Sequence, residues 1–100
     1  MLDDKVKIIK AAAEKNRLRI LRMLKEDTMC VGEIRDVLKL ANSAVSQHLK
    51  ILRLAGFIEE EKDGKRINYK INPHPSNPVV TSIIGLLDFW LEDEDEIKMD

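Results

Sequence analysis

One stretch of the chain, between positions 42 and 53, holds a row of side chains suited to contacting DNA bases. Its short hydrogen-bonding members are Asn42, Ser43, Ser46 and Gln47. A glutamine amide can form paired hydrogen bonds with adenine, and a serine hydroxyl can contact a base edge or a phosphate. Lys50 and Arg53 follow one and two turns later, where cations would neutralise phosphates. The row predicts a helix that enters the major groove of double-stranded DNA.

His48, within the same row, has two interpretations. It lies beside the apolar stripe of the predicted helix, so it either fills a boundary position or donates a hydrogen bond to a phosphate. A role as a metal ligand is disfavoured, because no second ligand stands at helical spacing. We include His48 among the predicted DNA-binding residues.

A basic hairpin follows this helix and forms a second predicted DNA contact. Asp63-Gly64 favours a type I′ turn, and Ile67, Tyr69 and Ile71 alternate with polar residues as in a half-buried strand. The DNA-facing part is the tip, whose basic residues are Lys62, Lys65 and Arg66. Glutamates at positions 59–61 would repel the DNA backbone, so the predicted contact is confined to the tip.

Hydrophobic periodicity predicts the elements that hold the polar row in place. In the helix that carries the row, Val45, Leu49 and Leu52 form a buried stripe, and Gly56 stands where a left-handed residue ends a helix. The preceding helix turns four apolar residues inward, namely Val31, Ile34, Val37 and Leu38. Lys39-Leu40-Ala41 is the turn between them. The two helices and their turn predict a helix-turn-helix.

Two further helices precede this pair. The first covers Lys5–Ala13, and the second covers Arg17–Lys25 with Asn16 as its N-cap. The second helix buries Leu18, Leu21 and Leu24. Residues Asp27–Cys30 are predicted to be a connector without regular structure.

The last helix predicts how the protein assembles. Asn77 and Pro78 open it, it runs to about Glu92, and apolar residues cover most of its circumference. A domain of 100 residues can bury only one side of a terminal helix. The other apolar side is therefore predicted to pack against a second, symmetry-related copy of the chain. The predicted interface residues, from the first and last helices, are Val6, Ile9, Val80, Ile83, Ile84, Leu87, Trp90 and Leu91.

These elements predict a mainly α fold with a β-hairpin wing. It is a winged helix-turn-helix of five helices and two antiparallel strands, in the order α-α-α-α-β-β-α, over residues 1–92. Apolar and charged contents of 44% and 35% fit a globular domain and exclude a disordered chain. No apolar stretch approaches the roughly 20 residues that cross a bilayer, so no membrane contact is expected. Cys30 is the only cysteine, and a reducing cytoplasm is the expected setting.

The charges of the chain are unevenly placed. Residues 73–100 carry seven acidic side chains and one basic one, a balance of −6, and the whole chain carries −1, so residues 1–72 carry +5. A basic body suits a nucleic-acid partner. Residues 93–100 form a predicted acidic tail. The run Glu92–Glu96 is either a solvated end or an arm that competes with DNA or binds a cation.

Two segments resemble the ArsR-type winged-helix repressors, a bacterial and archaeal family that includes many metal sensors. KNRLRILRMLK is similar to the family's second helix, and CVGEIRDVLKLANSAVSQHLKILRLAGFIEEEKDGKRINYKI is similar to its helix-turn-helix and wing. The resemblance spans roughly residues 8 to 92. It implies a dimer formed by the first and last helices, DNA recognition through the fourth helix and the wing, and repression relieved by a signal.

The chain departs from this family where effectors bind. Members that sense soft metals place Cys-x-Cys at the start of the third helix, where this chain has Cys30-Val31-Gly32. Members that sense zinc or nickel have Asp and His ligands in the last helix, which here contains no histidine. Cys30 is therefore either a small buried residue or a reactive sensor thiol. Ala41 replaces a frequent capping serine, which leaves Asn42 or Ser43 to satisfy the free amides.

The predicted function is that of a homodimeric, sequence-specific DNA-binding regulator, acting as a repressor on a palindromic operator. Its half-sites are expected about one helical turn apart, and its small effector is unknown. The alternatives are a metal- or thiol-responsive sensor that uses Cys30 and a winged-helix module that binds proteins. The sequence holds no Ser/His/Asp or Cys/His set and no glycine-rich phosphate loop. It therefore predicts no enzyme activity, no cofactor and no metal.

Overall fold

The computed structural model describes residues 2–90, which form five helices and a three-stranded sheet. The helices are α1 (Leu2–Ala12), α2 (Lys15–Glu26), α3 (Val31–Leu38), α4 (Asn42–Leu54) and α5 (Pro78–Trp90). The strands are β1 (Met29–Cys30), β2 (Ile58–Asp63) and β3 (Arg66–Ile71). The predicted winged helix-turn-helix is confirmed. Leu91, the predicted helix end at Glu92 and the predicted tail at 93–100 lie outside the described residues.

The structure corrects the predicted number of strands, because the segment predicted to be a connector ends in a short strand. β1 pairs antiparallel with β3, with Met29 opposite Tyr69 and Cys30 opposite Asn68, and the sheet order is β1-β3-β2. Two residues are too few to show an alternating pattern, and this strand exists only because the hairpin returns beside it. The element order is therefore α-α-β-α-α-β-β-α.

The junction between α1 and α2 also differs from the prediction. Glu14, not Asn16, is the N-cap of α2: its backbone is extended and its Oε1 accepts a hydrogen bond from the Asn16 N–H. A carboxylate at this position satisfies a free amide and faces the positive end of the helix dipole. α2 therefore begins at Lys15, two residues earlier than predicted.

The hydrophobic core surrounds the inner face of α4. Val45, Leu49 and Leu52 are each at most 1% exposed, which confirms the predicted stripe. Phe57 and Ile58, where β2 begins, are 0% and 2% exposed and join the same core. The wing is thereby attached to the helices at its base.

Tight backbone turns begin and end the segment that carries the polar row. Lys39, at φ 58°, ends α3 and donates its N–H to the Arg35 carbonyl at 2.7 Å. Gly56 follows α4 at φ 91°, in the left-handed region that glycine enters without a steric penalty. The predicted turn at positions 39–41 and the predicted helix end at Gly56 are both confirmed.

The tip of the wing differs by one residue from the prediction. Asp63 pairs with Arg66, so the two-residue loop is Gly64-Lys65 rather than Asp63-Gly64. Gly64 has φ 65°, whereas Lys65 has a negative φ, a combination that fits a type II′ turn and not the predicted type I′. Ile67, next to the tip, is 40% exposed, so the predicted half-burial holds only for the end of β3 that approaches the helices.

α5 begins as the sequence predicts. Asn77 caps it, accepting a hydrogen bond from the Val79 N–H at 2.9 Å, and Pro78 occupies the first helical position. Lys25 of α2 donates to the Ile84 carbonyl and to Asp88, both at 2.9 Å, and its ammonium group lowers the pKa of Asp88. No helix in residues 2–90 has both the length and the apolarity needed to cross a membrane.

Candidate nucleic-acid interface

α4 presents its polar row to solvent on the side opposite the buried stripe. The exposed members of the row are Asn42, Ser43, Ser46, Gln47, Lys50 and Arg53. Within residues 2–90, no hydrogen bond or ion pair occupies the side chains of Ser46, Gln47 and Lys50. These three groups are therefore available to an external partner, and the major groove of B-DNA is wide enough to admit the helix that carries them.

The two ends of the row make internal contacts. Asn42 Oδ1 accepts a hydrogen bond from Arg35 Nη1 at 3.2 Å, so α3 holds the start of α4. Ala41 provides no side-chain cap, and of the two residues predicted to satisfy the free amides, Asn42 or Ser43, the side-chain oxygen of Asn42 contacts Arg35 instead. Arg53 Nε lies 3.8 Å from Glu60 Oε1, which directs this cation towards the base of the wing.

His48, predicted among the DNA-binding residues, does not lie with the exposed part of the row. Its side chain is only 18% exposed and points towards α2, with Nδ1 3.2 Å from Arg17 Nη1 and 3.4 Å from Glu14 Oε2. A helix rotates by about 100° per residue, so the neighbour of an exposed glutamine can face the protein interior. Of the two interpretations, the boundary position is the one that the structure supports.

The tip of the wing divides into free and bound cations. Lys62 and Lys65 are exposed and have no ion pair among the described residues. Arg66 makes an ion pair with Glu33 of α3 and donates from Nε to Asn68 at 3.0 Å. The structure therefore leaves the two lysines available to a phosphate, whereas Arg66, 52% exposed, also attaches the wing to α3.

The glutamates of β2, predicted to repel DNA, have internal partners. Lys70 Nζ lies 3.6 Å from Glu59 Oε1 and 3.4 Å from Glu61 Oε2. Glu60 accepts a hydrogen bond from the Tyr69 hydroxyl at 3.3 Å, and partial burial together with this carboxylate raises the pKa of Tyr69. The neighbouring cations reduce the repulsion between these carboxylates and a DNA backbone.

Glu33 connects the wing to the start of α3. Its Oε1 accepts a hydrogen bond from the Cys30 N–H at 3.0 Å and also contacts Arg66. The backbone N–H of Cys30 is the largest cause of the lowered pKa of Glu33, followed by hydrogen bonds from the Cys30 side chain and Arg66. The helix start and the wing thus share one carboxylate.

We expect the substitution Arg66→Gln to raise the pKa of Glu33, although not to its ordinary value, because the Cys30 N–H still donates to the carboxylate. A carboxyl whose pKa is lowered by folding stabilises the fold at neutral pH and loses this contribution as the pH falls through the folded-state pKa. An NMR pH titration of the Glu33 carboxyl carbon measures the shift. Lys65→Gln is the control, and an unchanged Glu33 pKa in Arg66→Gln would contradict the assigned contact.

An apolar surface lies on the side formed by α1 and α5. An open groove of about 690 Å³ runs between the two helices, and its lining includes Ile9, Leu18, Val79 and Ile83. Val6 and Ile9 are 36% and 50% exposed, as expected of interface residues. We call this groove, together with the exposed apolar residues beside it on α1 and α5, the α1–α5 face.

Two predicted interface residues belong to the protomer's own core instead. Val80 and Leu87 are 1% and 0% exposed, because α5 packs this side against α1 and α2. Ile83 and Ile84 are half-buried, and the side chain of Trp90 lies outside the described part. The sequence interpretation left out three exposed apolar residues on the same two helices, namely Leu2, Leu86 and Phe89.

Other residues of structural importance were not recognised from the sequence either. Glu14 and Arg17 contact His48, and Glu33 contacts Arg66. A glutamate at the third position of a helix can accept a hydrogen bond from the backbone N–H of the N-cap residue. The spacing of Cys30 and Glu33 could therefore have predicted this contact. No local pattern marks the contact of Arg17 with His48, which is 31 positions away in α4.

Cys30 is half-buried at the N-cap of α3 and carries a free thiol. Over residues 2–90, no group of three or more histidine, cysteine, aspartate or glutamate side chains is arranged to hold a metal ion.

Comparison with known proteins places this chain in a family. Residues 14–60 match the model of the bacterial regulatory proteins of the arsR family. The chain is 36% identical over 85 residues to the transcriptional repressor SmtB of Mycobacterium tuberculosis, covering 85% of this chain and 63% of that protein. It is 38% identical over 82 residues to the transcriptional activator HlyU of Vibrio cholerae, covering 82% of this chain and 72% of that protein.

Solved structures show the same architecture. HlyU from Vibrio cholerae superposes with a TM-score of 0.72 at 36% identity, covering 87% of this chain and 90% of that one. The homodimeric winged helix-turn-helix DNA-binding domain of a Mycobacterium bovis protein superposes with a TM-score of 0.74 at 24% identity, covering 99% and 88%. The second likeness concerns the fold alone.

Proposed function

Because the chain belongs to the arsR family of bacterial regulatory proteins, we propose that it is a transcriptional regulator that binds double-stranded DNA as a homodimer. The observation that carries the proposal is the free polar row of α4, in which Ser46, Gln47 and Lys50 have no internal partner among residues 2–90. Repression is the mode of action proposed here, the mode that the name of SmtB states for that relative.

In the proposed complex, α4 lies in the major groove. Gln47 donates to and accepts from an adenine edge, while Ser43 and Ser46 contact bases or phosphates. Lys50 lies one turn further along, near the phosphate backbone, where it contributes charge but no base preference. Lys62 and Lys65, at the tip of the wing, reach phosphates of the same half-site.

Two copies of this chain are proposed to pair through the α1–α5 face. Its groove is apolar and open, and Ile9 and Phe89, at 50% and 80% exposed, would both be stabilised by being covered. A twofold axis through this face would present two α4 helices to one side of a duplex, about 34 Å apart. The proposed operator is therefore an imperfect palindrome with half-sites one helical turn apart.

The proposal is tested by selecting duplexes from a random pool and measuring the affinity of the selected and scrambled sequences at several salt concentrations. We expect at least about 1,000-fold preference for the selected duplex. The logarithm of the affinity should fall with the logarithm of salt by about 0.9 per phosphate contact. Equal affinity for both duplexes at every salt concentration would overturn the proposed function.

A further inference from the structure

Arg17 joins three helices at one point. Its Nε donates to the Ala11 carbonyl and its Nη2 lies 3.4 Å from the Lys10 carbonyl, both at the end of α1. Its Nη1 lies 3.2 Å from His48 Nδ1 on α4. The side chain is only 14% exposed, so the surrounding residues of the protomer hold the planar guanidinium in place.

Glu14 completes this cluster. Its Oε1 caps α2, while its Oε2 lies 3.8 Å from Arg17 Nη1 and 3.4 Å from His48 Nδ1. A guanidinium can only donate, so His48 Nδ1 is the acceptor in its hydrogen bond with Arg17, while the buried Glu14 Oε2 has no hydrogen-bond donor among the described residues. The imidazole proton is then on Nε2, and the ring links α4 to the end of α1 through one guanidinium.

The hydrogen bond between Arg17 and His48 gives α4 a directional constraint that its apolar packing lacks. Hydrophobic burial of Val45, Leu49 and Leu52 is non-directional, whereas a hydrogen bond constrains both distance and angle. A rotation of α4 by about 10° about its axis would move a side-chain end by about 1 Å. Paired hydrogen bonds to a base tolerate about half that displacement. His48 directly follows Gln47, so the constraint acts beside the proposed base-reading residue.

We propose that Arg17 and His48 are positioning residues that hold the rotation of α4 relative to α1, and so connect the α1–α5 face to base recognition. The inference rests on the proposed function and goes beyond it, because neither residue is among the contacts of the proposed complex. Loss of the link should lower the affinity for the selected duplex and leave the affinity for a scrambled duplex unchanged. A defect in folding would lower both affinities.

The experiment compares His48→Asn with His48→Gln. An asparagine oxygen occupies nearly the position of Nδ1 and can still accept from Arg17, whereas the amide of glutamine lies further from the main chain. We expect His48→Asn to bind the selected duplex within about two-fold of the unmodified protein and His48→Gln to bind it about ten-fold more weakly. Glutamine favours helices more than asparagine does, so a mere change of helix stability would reverse this order.

Arg17→Lys is the second test, because lysine keeps the charge but cannot contact the α1 carbonyls and His48 together. We expect it to lose about ten-fold in affinity for the selected duplex. Arg22→Lys is the matched control, since Arg22 of the same helix has its one ion pair among residues 2–90 with Glu26 and makes no hydrogen bond or ion pair with α4 there.

The outcomes separate the two proposals. If the unmodified protein binds both duplexes equally, the proposed function fails and the inference fails with it. If the unmodified protein prefers the selected duplex but His48→Gln and Arg17→Lys bind it equally well, only the inference is overturned. A loss of affinity for both duplexes, or the same loss in His48→Asn as in His48→Gln, would also overturn it.

Discussion

The double substitution Ile9→Glu and Phe89→Glu is expected to convert the proposed dimer into a folded monomer and to lower its affinity for a palindromic duplex by about 10²- to 10⁴-fold. Both side chains are at least half exposed in the protomer, so a carboxylate at either position keeps its water when the chain is monomeric. In a twofold dimer, four carboxylates would be buried in an apolar interface, at a cost of several kcal/mol for each unpaired charge.

Sedimentation velocity measures the change in oligomeric state, and duplexes with one and two half-sites measure its effect on binding. The double variant should bind a duplex with one half-site as weakly as the unmodified protein does. Its affinity should not increase when the duplex carries a second half-site. Leu54→Glu is the matched control, because Leu54 is 70% exposed but lies on α4, outside the α1–α5 face, and it should leave the dimer intact. A dimeric double variant would refute the proposed interface.

The second large effect is expected from Gln47→Ala combined with Lys50→Ala. Loss of a paired glutamine–adenine contact costs about 1–3 kcal/mol per half-site, and a dimer has two half-sites. Loss of one phosphate contact per subunit lowers the salt slope by about 1.8 in a dimer. We therefore expect the double variant to bind its selected duplex at least about 100-fold more weakly, with an unchanged melting temperature because both side chains are exposed.

The two single variants serve as controls for each other. Gln47→Ala should relax the preference at one base pair of each half-site and keep the salt slope, because an amide contributes no charge. Lys50→Ala should reduce the salt slope and keep the base preference, because a phosphate contact carries no sequence information. If either variant showed the signature assigned to the other, the proposed orientation of α4 in the groove would be wrong. Full affinity in the double variant would favour a protein as the partner of this surface.

The internal contacts of the wing decide which cations remain for DNA. Arg66 is bound to Glu33, so among residues 2–90 the cations at the tip without an ion pair are Lys62 and Lys65. Lysine is a flexible point charge, and this kind of contact suits phosphates better than base edges. Base preference is therefore expected to reside mainly in α4.

Several features of the fold were determined by the sequence on its own, because their causes are local. The stripe of Val45, Leu49 and Leu52 predicts a helix with one buried face, and these three residues are the buried face of α4 in the structure. Gly56 ends that helix because glycine adopts a left-handed backbone without a steric penalty. Asn77 caps the next helix because its side chain accepts a hydrogen bond from a free amide two residues away. Family membership has the same local origin, in residues 14–60.

Tertiary structure alone decided which side chains remain free. Arg17 and His48 are 31 positions apart, and Glu33 and Arg66 are 33 apart, so no local spacing brings either pair together. α5 illustrates the same limit: it is apolar nearly all round, and only its packing against α1 and α2 shows that Val80 and Leu87 are buried while Phe89 is exposed. Periodicity reports that a helix has faces, but the neighbours that cover each face are supplied by distant parts of the chain.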